Sequence, residues 1–235
     1  MSRALDHLVI AYRDLAAAAE RYRSLGFQVG ARNRHPWGTE NHIVQFDGAF
    51  LELIGLGEGF VVPPAGDPVF PFAGFLDGFL KRREGLAMIV LRSADAERDR
   101  REFAARGLGD FPRFDFARRG QRQGQEVEVA FSLAFAHSAG LPDAGFFVCQ
   151  QKFPQNFWDA AAQVHPNGAT GMAEIALSCP RPETAAGFLS AFLGAPADPA
   201  PGGLRFGLEN AAVICGPGPA SLSVALADGS RLAVS

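Results

Sequence analysis

One pattern recurs three times in this chain and restricts what it can become. An apolar strand runs into an acidic-capped helix, and the helix stops at a glycine. The copies are LDHLVIAYRDLAAAAERYRSLGF (Leu5 to Phe27), LAMIVLRSADAERDRREFAARGL (Leu86 to Leu108) and MAEIALSCPRPETAAGFLSAFLGA (Met172 to Ala195). Aligned on their strands, they put His7, Met88 and Glu174 at one structural position, and the helix-ending glycines Gly26, Gly107 and Gly194 recur with them. A period this long is a supersecondary unit used again, so the chain reads as modules of one type.

Each copy is followed by strand-like runs. In the first, Asp14 is a natural N-cap for a helix reaching Leu25. FQVGAR, NHIVQFD and AFLELIG come next, separated by HPWGTE and a tight Asp47-Gly48 turn. The order strand, helix, strand, strand, strand repeats in the second copy through RFDFAR, EVEVAFSLAFA and GFFVCQQ, and in the third through LRFGLE, AAVICG and SLSVAL, read as its fourth strand. The expected division is a first module over 1–54, an insertion over 55–84, a second module over 85–151, a link over 152–170 and a shorter third module over 171–235. Within the insertion FAGFLDGFLKRRE reads as a short helix with an aromatic face, and RRGQRQGQE (Arg118 to Glu126) reads as a mobile hairpin loop.

Composition narrows the function classes. A formal charge of −3, with arginines mixed among acids, argues against a nucleic-acid footprint. No apolar run reaches membrane-spanning length. Cys149, Cys179 and Cys215 form no CxxC and fall in predicted strands, which suits a reducing cytoplasm. No GxGxxG, GxxxxGK[ST], GxSxG or HExxH is present, leaving nucleotide, serine-hydrolase and zinc-protease readings without support. The 21 phenylalanines against two tyrosines point to an apolar interior or pocket.

A repeated βαβββ unit with His7 on a first strand (LDHLVIAYRDL) and Glu52 on a fourth (FLELIG) resembles the vicinal-oxygen-chelate superfamily. More narrowly, HPWGTEN, FLELI, FFVCQQ and HPNGA resemble its branch of glyoxalase-like domain proteins. The resemblance implies an α+β fold in which βαβββ modules form a curved, mixed, mostly antiparallel sheet around a cup, with helices outside. It also implies a cytoplasmic protein acting on a small molecule, with neither nucleic acid nor membrane as partner.

Further implications concern the site. First and fourth strands lie side by side in that fold, so His7 and Glu52 project into one concave face. There they either hold a divalent metal (Zn, Fe, Mn or Ni) or hydrogen-bond each other. Metal-dependent relatives complete the site from a second module, but the counterpart of His7 here is Met88, a poor ligand for hard metals. Gln150 (or Gln151) offers an amide oxygen instead, and Glu174 another carboxylate if the third module folds back or pairs across a homodimer. Glu52 and Glu174 are the candidate proton carriers, while His35, Trp37, Asn41, Met88 and His165 are candidate pocket residues. Two functions follow. One is a metal-dependent lyase, isomerase or dioxygenase acting on a small oxygen-rich metabolite. The alternative is a metal-free protein of the drug-sequestering type that holds an aromatic or amphipathic ligand.

Overall fold

The computed structural model describes residues 2–122 and 125–234. The first module comprises β1 (Leu5–Ala11), α1 (Leu15–Ser24), β2 (Asn33–Arg34), β3 (Thr39–Phe46) and β4 (Ala49–Leu56). After α2 (Phe70–Arg82) the second repeats it with β5 (Gly85–Arg92), α3 (Ala96–Ala105), β6 (Phe114–Arg122), β7 (Gln125–Ala136) and β8 (Gly145–Gln151). A short α4 (Pro154–Phe157) leads to the third, with β9 (Ala169–Ser178), α5 (Pro182–Leu193), β10 (Asp198–Ala200), β11 (Gly203–Gly207) and β12 (Ala212–Gly216). Two more strands follow, β13 (Ser221–Leu226) and β14 (Arg231–Ala233).

The helices begin and end where the side chains require. Asp14 accepts a hydrogen bond from the Ala17 amide at 2.9 Å and Asp95 from the Arg98 amide at 3.0 Å, each satisfying an otherwise unpaired donor of the first turn. Just past the helices, Gly26, Gly107 and Gly194 all have positive φ (82, 67 and 65°), a conformation glycine adopts at no steric cost.

Modules one and two share one sheet of order β2-β3-β4-β1-β5-β8-β7-β6. Its centre is the antiparallel β1/β5 pair, and only β1/β4 and β5/β8 are parallel. The sheet is therefore mixed and mostly antiparallel, as the resemblance implied. The third module forms a second sheet, β10-β11-β12-β9-β13-β14. The parallel registers open at His7↔Phe50, Met88↔Gly145 and Glu174↔Ala212, so the three aligned residues do hold one position. The same registers identify AVICG, not SLSVAL, as the fourth strand of module three. SLSVAL is β13, which runs antiparallel to β9 as β5 runs beside β1.

Strand alternation divides the core into two clusters. Leu8, Ile10, Ile89, Leu91, Phe146 and Val148 point to the convex side, where they meet α1, α3, α5 and the second sheet. Val9, Ile54, Met88, Val90, Leu133 and Phe147 face the cup. Helices α1 and α3 lie outside as expected, but α2 does not. Its buried face (Phe72, Ala73, Leu76, Phe79, Leu80) packs into the cup. The loop expected over 118–126 is instead largely strand, with Arg118↔Val129 to Arg122↔Gln125 paired between β6 and β7. Its tip, residues 123 and 124, lies outside the described residues.

Candidate functional site

The part of the cup left open by α2 is a small chamber of about 40 Å³. Its walls include Trp37, Phe50, Phe72, Phe116, Phe131, Phe147 and Phe157, and its polar groups are His7, His35, Asn41, Glu52, Arg118 and Cys149.

Glu52 sits at the centre, 5% exposed. Val9 pairs with it on one side and Ile43 on the other, so His7 and Asn41, each two residues away, flank it diagonally on the same face. Asn41 Nδ2 donates to Glu52 Oε1 at 2.5 Å, while His35 Nε2 stands 3.7 Å from that oxygen. Glu52 Oε2 faces His7 Nε2 across 3.8 Å, too far for a hydrogen bond.

Both imidazoles are anchored at the nitrogen turned away from Glu52. His7 Nδ1 lies 2.6 Å from Asp6 Oδ1, whose other oxygen accepts from Gln151 Nε2 at 3.1 Å. Neighbouring strand residues normally face opposite ways, but the β1/β5 register shifts between Leu5 and His7, which lets Asp6 reach the ring beside it. His7 also stacks on Phe50, with centroids 4.3 Å apart. His35 Nδ1 meets Thr39 Oγ1 at 2.8 Å, inside a turn closed by the His35 amide on Thr39 O and the Gly38 amide on His35 O. Gly38 has φ 94°, which the turn needs. Trp37 stacks on His35 at 4.6 Å.

Burial lowers the His35 pKa from 6.5 to about 4, outweighing the opposing pull of Glu52, so the ring is neutral at pH 7. With Nδ1 on the Thr39 hydroxyl, Nε2 is the ring nitrogen turned toward Glu52, and it also lies 3.5 Å from Asn41 Nδ2. Burial also drives the Cys149 thiol upward, with Asp6 and Glu52 adding to the shift, which makes it an inert wall group.

The anticipated residues thus fall into two sets. His7, His35, Trp37, Asn41 and Glu52 converge on the chamber. The other four do not. Gln150 lies on the convex face, where it accepts from the Ala96 amide and donates to Ala94 O, helping to cap α3. The register explains this, because Phe147, not a glutamine, is the counterpart of Glu52. Met88 faces the cup but lines a separate apolar groove with Gly145 and Phe135. His165 accepts from the Gln28 amide and contacts Gln45 O, packed between Phe27 and Phe46 as a turn-stabilising residue. Glu174 belongs to the second sheet and meets Arg231 at 3.3 Å. Of the aromatic residues in FPQNFW, Phe157 walls the chamber, whereas Phe153 is 37% exposed.

Arg118 is the residue that sequence reasoning missed. Alternation in RFDFARRG puts Phe114, Phe116 and Arg118 on one face of β6, and the two phenylalanines pack on Trp37. That period of two was the available signal.

The implied divalent metal can be tested against these donors. The position that should supply a second-module imidazole holds Met88, and the one that should supply a carboxylate holds Phe147. Asn41 already donates to Glu52, and Arg118 adds positive charge to the same chamber. Among the described residues no group of three or more His, Cys, Asp or Glu is arranged to hold a metal ion. The donor set does not fit that centre.

Comparison with known proteins identifies the family. Residues 5–193 match a family model described as a glyoxalase-like domain. A hypothetical protein from Staphylococcus aureus superposes with a TM-score of 0.68 at 10% identity, over 99% of this chain and 98% of that one. A methylmalonyl-CoA epimerase from Streptomyces coelicolor, in complex with 2-nitronate-propionyl-CoA, reaches 0.41 at 22% identity, over 65% and 99% of the two chains. A fusion of a xylose isomerase-like TIM barrel with 4-hydroxyphenylpyruvate dioxygenase reaches 0.47 at 16% identity, over 99% of this chain and 32% of that one. No curated protein matches the chain.

Proposed function

The chain belongs to the glyoxalase-like domain family of the vicinal-oxygen-chelate superfamily, and on that premise we propose that it is a one-base proton-transfer enzyme, an isomerase or lyase acting on a small carbonyl compound without a metal. One observation carries this reading. Glu52 is buried in an aromatic chamber with Oε1 held by Asn41, while Oε2 takes no hydrogen bond among the described residues. A buried carboxylate oxygen left open toward a cavity is a proton acceptor in waiting.

In this mechanism Oε2 takes a proton from the carbon beside the ligand's carbonyl. The C–H electron pair becomes a carbon–carbon π bond, and the negative charge moves to the carbonyl oxygen. In this proposal His35 takes the tautomer with the proton on Nε2 and donates it as a hydrogen bond to that oxygen, and its neutrality at pH 7 keeps it a donor rather than an acid. Asn41 fixes the carboxylate, and Asp6 fixes the ring of His7. The second-module counterpart of Glu52 is Phe147, so no carboxylate waits on the opposite face. Glu52 then gives the proton up in one of two ways: to the former carbonyl carbon, when the deprotonated carbon bears a hydroxyl whose proton passes to the former carbonyl oxygen, or to a leaving group on the next carbon, which departs with its bonding pair as the carbonyl re-forms.

Deuterium uptake from heavy water into methyl pyruvate, followed by NMR, tests this. The protein should catalyse uptake, and Glu52→Gln should slow it by roughly 10²–10⁴-fold. Equal uptake by the two proteins would sink the proposal. The aromatic walls also suit a binder without turnover, and saturable binding with no exchange in the unaltered protein would select that second reading.

A further inference from the structure

The chamber of about 40 Å³ holds only a few water-sized groups, so a ligand's head fits while the rest must lie elsewhere. Next to it runs an open groove of about 320 Å³. Ile43, Arg118 and Phe157 line both spaces, which makes them the passage from one to the other.

The charges at this passage are unequal. Of the groove's arginines, Arg32 is paired with Glu40 and Arg119 with Glu126. Arg118 forms no ion pair among the described residues. Its Nη1 donates to Asn33 Oδ1 at 3.2 Å, and its buried Nε has no partner. A half-buried guanidinium with an enclosed donor unused is an incomplete arrangement that an anion would complete. Glu52 faces the same chamber without touching it, so the two opposite charges leave room for a molecule between them.

We propose that Arg118 recognises a carboxylate on the ligand at the passage between chamber and groove, so that the substrate class is a 2-oxo acid. This rests on the chamber being the ligand site and goes beyond it by assigning charge and orientation. The carbonyl end enters toward Glu52, the carboxylate stays on Arg118, and any further substituent lies along Asn33, Gln45 and Asn156. One free guanidinium matches one negative charge, which favours a carboxylate over the dianion of a phosphate ester.

The test uses the full chain and three probes, pyruvate, its neutral methyl ester and inorganic phosphate, with binding read from tryptophan fluorescence, since Trp37 lines the chamber. Pyruvate should bind at least about tenfold tighter than the ester, the range of a charge-assisted hydrogen bond. Arg118→Met should bring that ratio close to one, and Arg118→Lys should keep part of it. Should the Met variant fail to fold by circular dichroism, Arg118→Gln takes its place. A ratio near one in the unaltered protein, a ratio unchanged by the substitutions, phosphate outcompeting pyruvate, or no binding of any probe would each overturn the assignment. Selective pyruvate binding without deuterium uptake would retain Arg118 while removing the proton-transfer reading. Uptake into the ester with no preference for pyruvate would do the reverse.

Discussion

His35 carries the clearest pH signature among the chamber side chains. Its folded pKa of about 4 lies below the ordinary 6.5, so the unfolded chain binds a proton that the folded one refuses. Stability is then complete above pH 6.5 and declines as the pH falls toward 4, by up to about 3 kcal/mol. Urea denaturation at several pH values should show this slope, and His35→Gln should flatten it. An equal slope in both proteins would place its source elsewhere. At this same scale the sequence was partly legible. His7, Glu52, Asn41, His35 and Trp37 were reached through the superfamily resemblance, with polar groups inside apolar strands adding support at His7 and Glu52. Arg118 was hidden because its own alternation ran into a Gly/Gln-rich stretch that reads as loop. Gln150 was misassigned by register: Met88↔Gly145 sets Phe147 where a ligand was sought, and the glutamine three residues on faces outward.

Among the elements, α2 changes the cup most. Its aromatic face was visible in FAGFLDGFLKR, but nothing local to that stretch says on which side of a sheet a helix will dock. It lies on the concave side, with Phe79 fully buried. Phe79→Ala should cost about 3–5 kcal/mol in a denaturant melt, a cavity-forming truncation in a filled space. A loss below about 1 kcal/mol would mean that α2 is only loosely seated. The caps give a smaller contrast, since Asp14→Ala and Asp95→Ala should each lower stability by about 1 kcal/mol. Those caps and the glycine stops were readable because they depend on neighbours within one turn. The reassignment of SLSVAL was not readable, because strands from 212 to 216 and from 221 to 226 flank β9 with similar apolar character.

For the molecule as a whole, the third module is part of one core. Phe192 packs on Phe103 at 5.8 Å, and the Arg3 amide donates to Leu193 O. Asn210 accepts from the Leu5 amide and donates to Leu5 O, tying the first residue of β1 to the second sheet. Deleting residues 170–235 would bare the convex face and leave these groups unpaired, so the shortened chain should be insoluble. A soluble remnant with a cooperative melt would contradict that. The feature with the widest consequence is the unequal furnishing of two equivalent positions, Val9↔Glu52 in one half and Val90↔Phe147 in the other. A cup made from duplicated halves presents two rotation-related walls to whatever it encloses. Here the only carboxylate among the chamber's described residues is on one wall, and its counterpart on the other is a phenyl ring, so a molecule held between them would face a proton acceptor on one side alone.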